Sequence, residues 1–116
     1  MNSKIRKFEI VVDTHSLCPS DLLYNSNALC GEIGEVANVI KKIQIATLKP
    51  EWVTSNENEL PDVDFFKNKL DEELSDALFY LVRVAKDNGT TLEDLIMIQE
   101  HKLKVQTMKY KRTFKK

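Results

Sequence analysis

Two acidic pairs carry the chemistry of this chain. Glu32 and Glu35 are separated by Ile33 and Gly34, and Glu73 and Asp76 by Leu74 and Ser75. A three-residue offset puts both side chains of a pair on one helix face, one turn apart. Both pairs lie in stretches whose other residues read as core-facing, and apolar helix faces do not normally carry carboxylates. Crowded carboxylates repel one another and are costly to desolvate unless a cation neutralises them. The pattern therefore predicts a hard divalent cation between two helices, with all four acids around one volume. Oxygen-only ligation, without His or Cys, suits Mg²⁺ or Mn²⁺ rather than Zn²⁺. Mg²⁺ keeps several waters and bridges to phosphates, and nearby Lys or Arg neutralises the rest of a phosphate chain.

Stepping by three and four along the first segment gives Ala28, Glu32, Glu35, Val39 and Lys42. On the second it gives Lys69, Glu73, Asp76, Tyr80 and Arg83. Each stripe carries a base about two turns beyond its acids, roughly 10 Å at 1.5 Å per residue. Lys42 shares the acids' face, whereas Lys41 is rotated about 100° from it. A di-iron carboxylate bundle is the rival metal site. It uses Glu-x-x-His on two helices, and neither His15 nor His101 follows a Glu at that spacing.

The elements that must hold these residues are helical. With only 3 Gly and 3 Pro in 116 residues, loop punctuation is sparse. The segment Met1 to Val12 mixes charge with Ile10, Val11 and Val12 and is compatible with a helix or a strand. Pro19 breaks the chain, and Ser20 or Asp21 caps a helix that runs to about Ile45, with Pro50 as its stop. Residues 49–64 read as a long connection holding the sole tryptophan, Trp52. A second long helix spans about Val63 to Asn88, ended by Asn88-Gly89. Thr90 or Thr91, followed by Glu93 and Asp94, starts a last helix over about Leu92 to Met108. The expected fold is all-α, a bundle of about four helices forming one domain over 1–116, with a basic, frayed tail over about 108–116. The broad apolar face of the 63–88 helix predicts completion by homo-oligomerisation.

Composition bounds the function classes. Charged residues make up 30% and hydrophobic residues 42%, as in ordinary globular domains. The formal net charge of -1 argues against a stable nucleic-acid partner, although seven Lys or Arg and no acid fall between His101 and Lys116. No apolar run approaches the roughly 20 residues of a membrane span. The first residues lack a signal-like apolar core, so Cys18 and Cys30 are expected as reduced thiols and the protein as cytoplasmic.

The run from Asn27 to Lys42 (Asn-Ala-Leu-Cys-Gly-Glu-Ile-Gly-Glu-Val-Ala-Asn-Val-Ile-Lys-Lys) resembles the first signature of the MazG-like, all-α nucleoside triphosphate pyrophosphohydrolases. Leu70 to Val82 (Leu-Asp-Glu-Glu-Leu-Ser-Asp-Ala-Leu-Phe-Tyr-Leu-Val) resembles the second. The family's Glu-x-x-Glu and Glu-x-x-Asp motif falls on Glu32, Glu35, Glu73 and Asp76, and the resemblance runs from about Asn25 to Lys104. It implies Mg²⁺-dependent hydrolysis of a nucleoside or deoxynucleoside triphosphate to the monophosphate and pyrophosphate, in nucleotide-pool housekeeping. Those four carboxylates would hold the metal, and one of them would act as general base. The resemblance also implies a homodimer or homotetramer.

Substrate contacts are expected from Lys42, Lys102, Tyr80, Arg83 and Asn27, and from Trp52 if it stacks on the base. Between the half-motifs, Val36 to Glu72 is 37 residues, longer than is usual for the family. The last helix carries Gln99-Glu-His-Lys102 where relatives often have Asn-x-x-Lys. The alternative, from another class, is a catalytically silent helical interaction module. Such a module has no reason to keep all four acids inward.

Overall fold

The structure, a computed structural model, describes residues 3–17, 20–49 and 63–114. Four helices occupy them: α1 Ser3–His15, α2 Leu22–Leu48, α3 Val63–Asp87 and α4 Leu92–Phe114, with no strand among the described residues. The chain divides into two compact units, Asp21–Leu81 on the one hand, and Met1–Ser20 with Val82–Lys116 on the other.

In the first unit, Asp21 sets where α2 begins. Its backbone is extended (φ −140°, ψ 117°), and its carboxylate accepts hydrogen bonds from the Leu23 and Tyr24 amides at 2.9 and 3.3 Å. Two orphan donors of the first turn are thereby satisfied. The helix closes at Lys49, whose amide donates to the Ile45 carbonyl at 2.7 Å. Lys49 leaves helical geometry (φ −139°, ψ 69°), in keeping with the bias of a residue before proline away from the α region. Val39 and Ala46 of α2 bury against Phe66 of α3, flanked by Ile43, Val63 and Leu70. Burying residues of this size stabilises by about 1.5–3 kcal/mol for each large side chain. The order of contacts makes α2 and α3 antiparallel here, because later positions of α2 meet earlier positions of α3.

Positions seven apart line the buried face of α2: Asn25, Glu32, Val39 and Ala46. Asn25 is fully buried, Val39 and Ala46 are buried, and Glu32 is half-buried. Phe66 and Glu73 hold the same relation on α3, and both are buried. Two acids thus occupy seam positions that apolar residues fill one heptad away.

In the other unit, α1 packs against α4. The segment that could have been helix or strand is helical, with Glu9 and Val12 buried one turn apart. Glu9 Oε1 accepts a 3.2 Å hydrogen bond from the Glu93 amide in the first turn of α4, and Glu9 Oε2 pairs with Arg6 at 3.2 Å. Lys86 pairs with Asp13 at 3.0 Å, and the Ser20 hydroxyl donates to Asp87 at 3.0 Å.

Gly89, at φ 76°, ends α3. Its amide donates to the Lys86 carbonyl and that of Thr90 to the Ala85 carbonyl, each at 2.9 Å, the paired bonds of a Schellman turn. Thr91 then caps α4, its hydroxyl accepting from the Asp94 amide at 3.1 Å. The last helix runs to Phe114, past the expected end near Met108 and into the segment expected to fray. No Gly or Pro follows Gly89 to break it, and cations near a helix C-terminus interact favourably with its dipole. Among the described residues no helix is long and apolar enough to cross a membrane.

Candidate metal centre

Glu32 enters the site from α2, and Glu73 and Asp76 enter it from α3. One carboxylate oxygen from each lies within 4.8 Å of the others. The antiparallel pairing brings this about, since the core contact of Val39 and Ala46 with Phe66 sets the register that places Glu32 opposite the second acidic pair. Glu73 is buried, at 8% exposure, Glu32 is half-buried and Asp76 is exposed. The group therefore opens to solvent on one side and is embedded on the other.

The electrostatics follow from that placement. Glu32 is raised above the usual glutamate range. The first cause is partial burial, followed by the charges of Asp76 and Glu73, a hydrogen bond with Glu73, and the charge of Glu35. On α3, Lys69 Nζ lies 3.5 Å from Glu73 Oε1 and 3.6 Å from Glu72 Oε2. The lysine is raised in turn, by the charge of Glu72 first and then by its hydrogen bond and charge contact with Glu73.

The donor set fits a hard cation. Two oxygens on opposite sides of Mg²⁺ stand about 4.2 Å apart, and about 2.9 Å when adjacent. The three oxygens here lie within 4.8 Å of one another, close to that scale. Carboxylate oxygens are the donors that hard cations such as Mg²⁺ take, with water or phosphate oxygens completing the shell.

The fourth expected ligand, Glu35, stands apart. It is exposed and outside the compact group, although close enough for its charge to act on Glu32. A step of three residues rises about 4.5 Å and turns the side chain about 60° off the seam. With Glu32 on the seam, Glu35 lies to its solvent side.

The expected substrate contacts divide. Lys42 and Asn27 are exposed on α2, and Tyr80 is half-buried on α3 with its ring edge-on to Phe79, centroids 5.0 Å apart. Lys102 is exposed on α4. Arg83, by contrast, is buried, at 5% exposure, and is engaged within the fold rather than presented to solvent. Trp52 and most of the 49–64 connection lie outside the described residues, as does Cys18; Cys30 is a free, exposed thiol.

Sequence reasoning missed the burial of Glu9 and Asn25. Asn25 had a signal, being seven residues before Glu32 on the same line. Glu9 had none while its segment could equally be a strand. A concavity of about 210 Å³ belongs to the other unit, and Arg6, Glu9, Asp13 and Lys86 are among its lining residues. Its charges are already paired with one another, so it offers no comparable group.

Compared with known proteins, the chain matches no family model, no curated protein and no solved structure.

Proposed function

We propose that this chain is a divalent-metal-dependent nucleoside triphosphate pyrophosphohydrolase of the MazG-like kind. The observation that carries the reading is the meeting of Glu32, Glu73 and Asp76 on the seam between α2 and α3, from segments 41 residues apart that resemble the family's two half-motifs. Acids at helical spacing usually form a solvated face. A buried Glu73 and a half-buried Glu32 on the apolar lines of their helices do not fit that description.

In this reading Glu32, Glu73 and Asp76 hold Mg²⁺ or Mn²⁺. When bound, the ion polarises phosphate oxygens and lowers the pKa of water. The chain's own residues supply the rest. Glu35, one turn from Glu32 and outside the compact group, accepts a proton from the attacking water. Water adds across the α–β anhydride, the bridging bond breaks, and pyrophosphate leaves with the charge of the broken bond. Lys42, exposed on the acids' own helix, neutralises the phosphate chain. Tyr80 and Asn27 remain the proposed contacts to base or sugar.

Exposed Leu74, Leu78 and Leu81 on α3, and Ile33 and Ile40 on α2, support the homodimer or homotetramer expected for such an enzyme. A cytoplasmic role in nucleotide-pool housekeeping belongs to the same proposal. Turnover of a panel of ribo- and deoxyribonucleoside triphosphates with Mg²⁺, read as released pyrophosphate, tests it. Release that requires metal and is lost in Glu73→Gln supports the reading. No release from any triphosphate by folded protein overturns it in favour of a silent interaction module.

A further inference from the structure

Lys69 precedes Glu73 by one turn of α3 and pairs with the candidate metal group through that carboxylate. Its ammonium bridges two unlike carboxylates. Glu73, at 3.5 Å, has a side chain only 10% exposed and belongs to the group; Glu72, at 3.6 Å, is 70% exposed and lies outside it. The lysine itself is half exposed, at 48%.

We propose that Lys69 is a tethered counter-ion that competes with the divalent cation for Glu73, and that Glu72 keeps the lysine when the cation enters. The inference rests on the metal reading given above. A carboxylate as buried as Glu73 is costly without a positive partner, and in the metal-free chain the ammonium is that partner. A divalent ion bound to the same carboxylate would stand within a few ångströms of the ammonium and repel it. Lys69 need not return fully to water, because Glu72 lies beside it on the same helix face. Glu72 is well solvated, so pairing there is weak and readily exchanged. The pair thus acts as a positioning device: it holds the metal-free group together and lowers its affinity for metal.

Mn²⁺ titration followed by the paramagnetic resonance of the free ion, which needs no turnover, tests this. K69Q should bind Mn²⁺ about threefold more tightly than the wild type, the scale of a displaced half-exposed ion pair. K67Q is the control for charge alone. Lys67 is exposed on the same helix and lies about 160° around from Lys69, so its loss should leave the affinity within about twofold. K69R keeps a cation on Glu73 and should bind no more tightly than the wild type, which also serves if K69Q fails to fold. E72Q should weaken Mn²⁺ binding in the wild type and do so less in a K69Q background, because Glu72 acts through the lysine. Wild-type binding that K69Q does not strengthen, or that K67Q strengthens equally, overturns the proposal and leaves the metal site standing. If K69Q does not fold, K69R binding more tightly than the wild type overturns it likewise. No saturable Mn²⁺ binding by either protein overturns the metal reading and this proposal together.

Discussion

Glu32→Gln removes one of three crowded charges while keeping the shape of the side chain. With oxygens within 4.8 Å of one another, each pair of charges at that separation repels by about 0.9 kcal/mol in water's dielectric and by about 3.5 kcal/mol at an effective constant of 20. Glu32 faces two such neighbours. The cost has a ceiling, since the group can bind a proton instead. At pH 7.5 that costs an ordinary glutamate about 4 kcal/mol, at 1.36 kcal/mol per pH unit above about 4.3. Exposure of Asp76 and the Lys69 ammonium beside Glu73 pull the value toward the lower end. We expect Glu32→Gln to stabilise the metal-free protein by about 1–2 kcal/mol, or about 4–8 °C in Tm for a chain of this length.

The pH dependence fixes the cause. Burial and neighbouring charge raise Glu32 in the folded state, so the folded protein holds more protons than the unfolded chain between the ordinary value and the raised one. Stability contributed by this group is therefore present at low pH and is lost as pH rises through that window. Far-UV circular dichroism melts in chelator should show the variant ahead at pH 7.5 and level with the wild type near pH 4. A variant that melts at or below the wild type at pH 7.5, or an advantage that persists unchanged at pH 4, would refute the crowding argument.

Three further outcomes are expected. Mg²⁺ at about a hundredfold above its Kd should stabilise the wild type by about 2.7 kcal/mol, and Glu73→Gln and Asp76→Asn should abolish the shift in Tm, as thermal melts with and without the ion would record. Gly34→Ala, mid-helix with open space where its Cβ would go, should raise Tm by about 4 °C, whereas Gly89→Ala, at φ 76°, should lower it by a similar amount; differential scanning calorimetry of the two reads the opposite signs. Glu9→Ala should destabilise by about 1–3 kcal/mol, because it strips the Glu93 amide and Arg6 of a buried partner, and urea unfolding with an unchanged m-value would check it.

Local chemistry made much of the helical layout legible. Asp21, Gly89 and Thr91 act as cap, stop and cap because each satisfies backbone groups within a few residues of itself, which spacing alone reveals. The end of α2 falls at Leu48, three residues beyond the expected Ile45, because Pro50 constrains only the residue before it. The first segment was ambiguous for a physical reason. Ile10, Val11 and Val12 favour a strand locally, and what makes the segment helical is non-local: Glu9 reaches the Glu93 amide and Val12 is buried with it.

The acids divide in the same way. The sequence determined that four carboxylates stand in two pairs on helical faces, since residue type and a three-residue offset suffice for that. It could not decide which of them meet. That choice depends on the line along which α2 buries its surface and on the register of α3 against it, both set by Val39, Ala46 and Phe66. Once that seam is drawn, Glu32 and Glu73 lie on it and Asp76 completes the group, while Glu35, one turn on, faces water. Arg83 shows the same limit, placed on the stripe of the acids by spacing yet buried in the fold. Helical periodicity fixes angles around a single axis; only packing between axes decides which angle is inside.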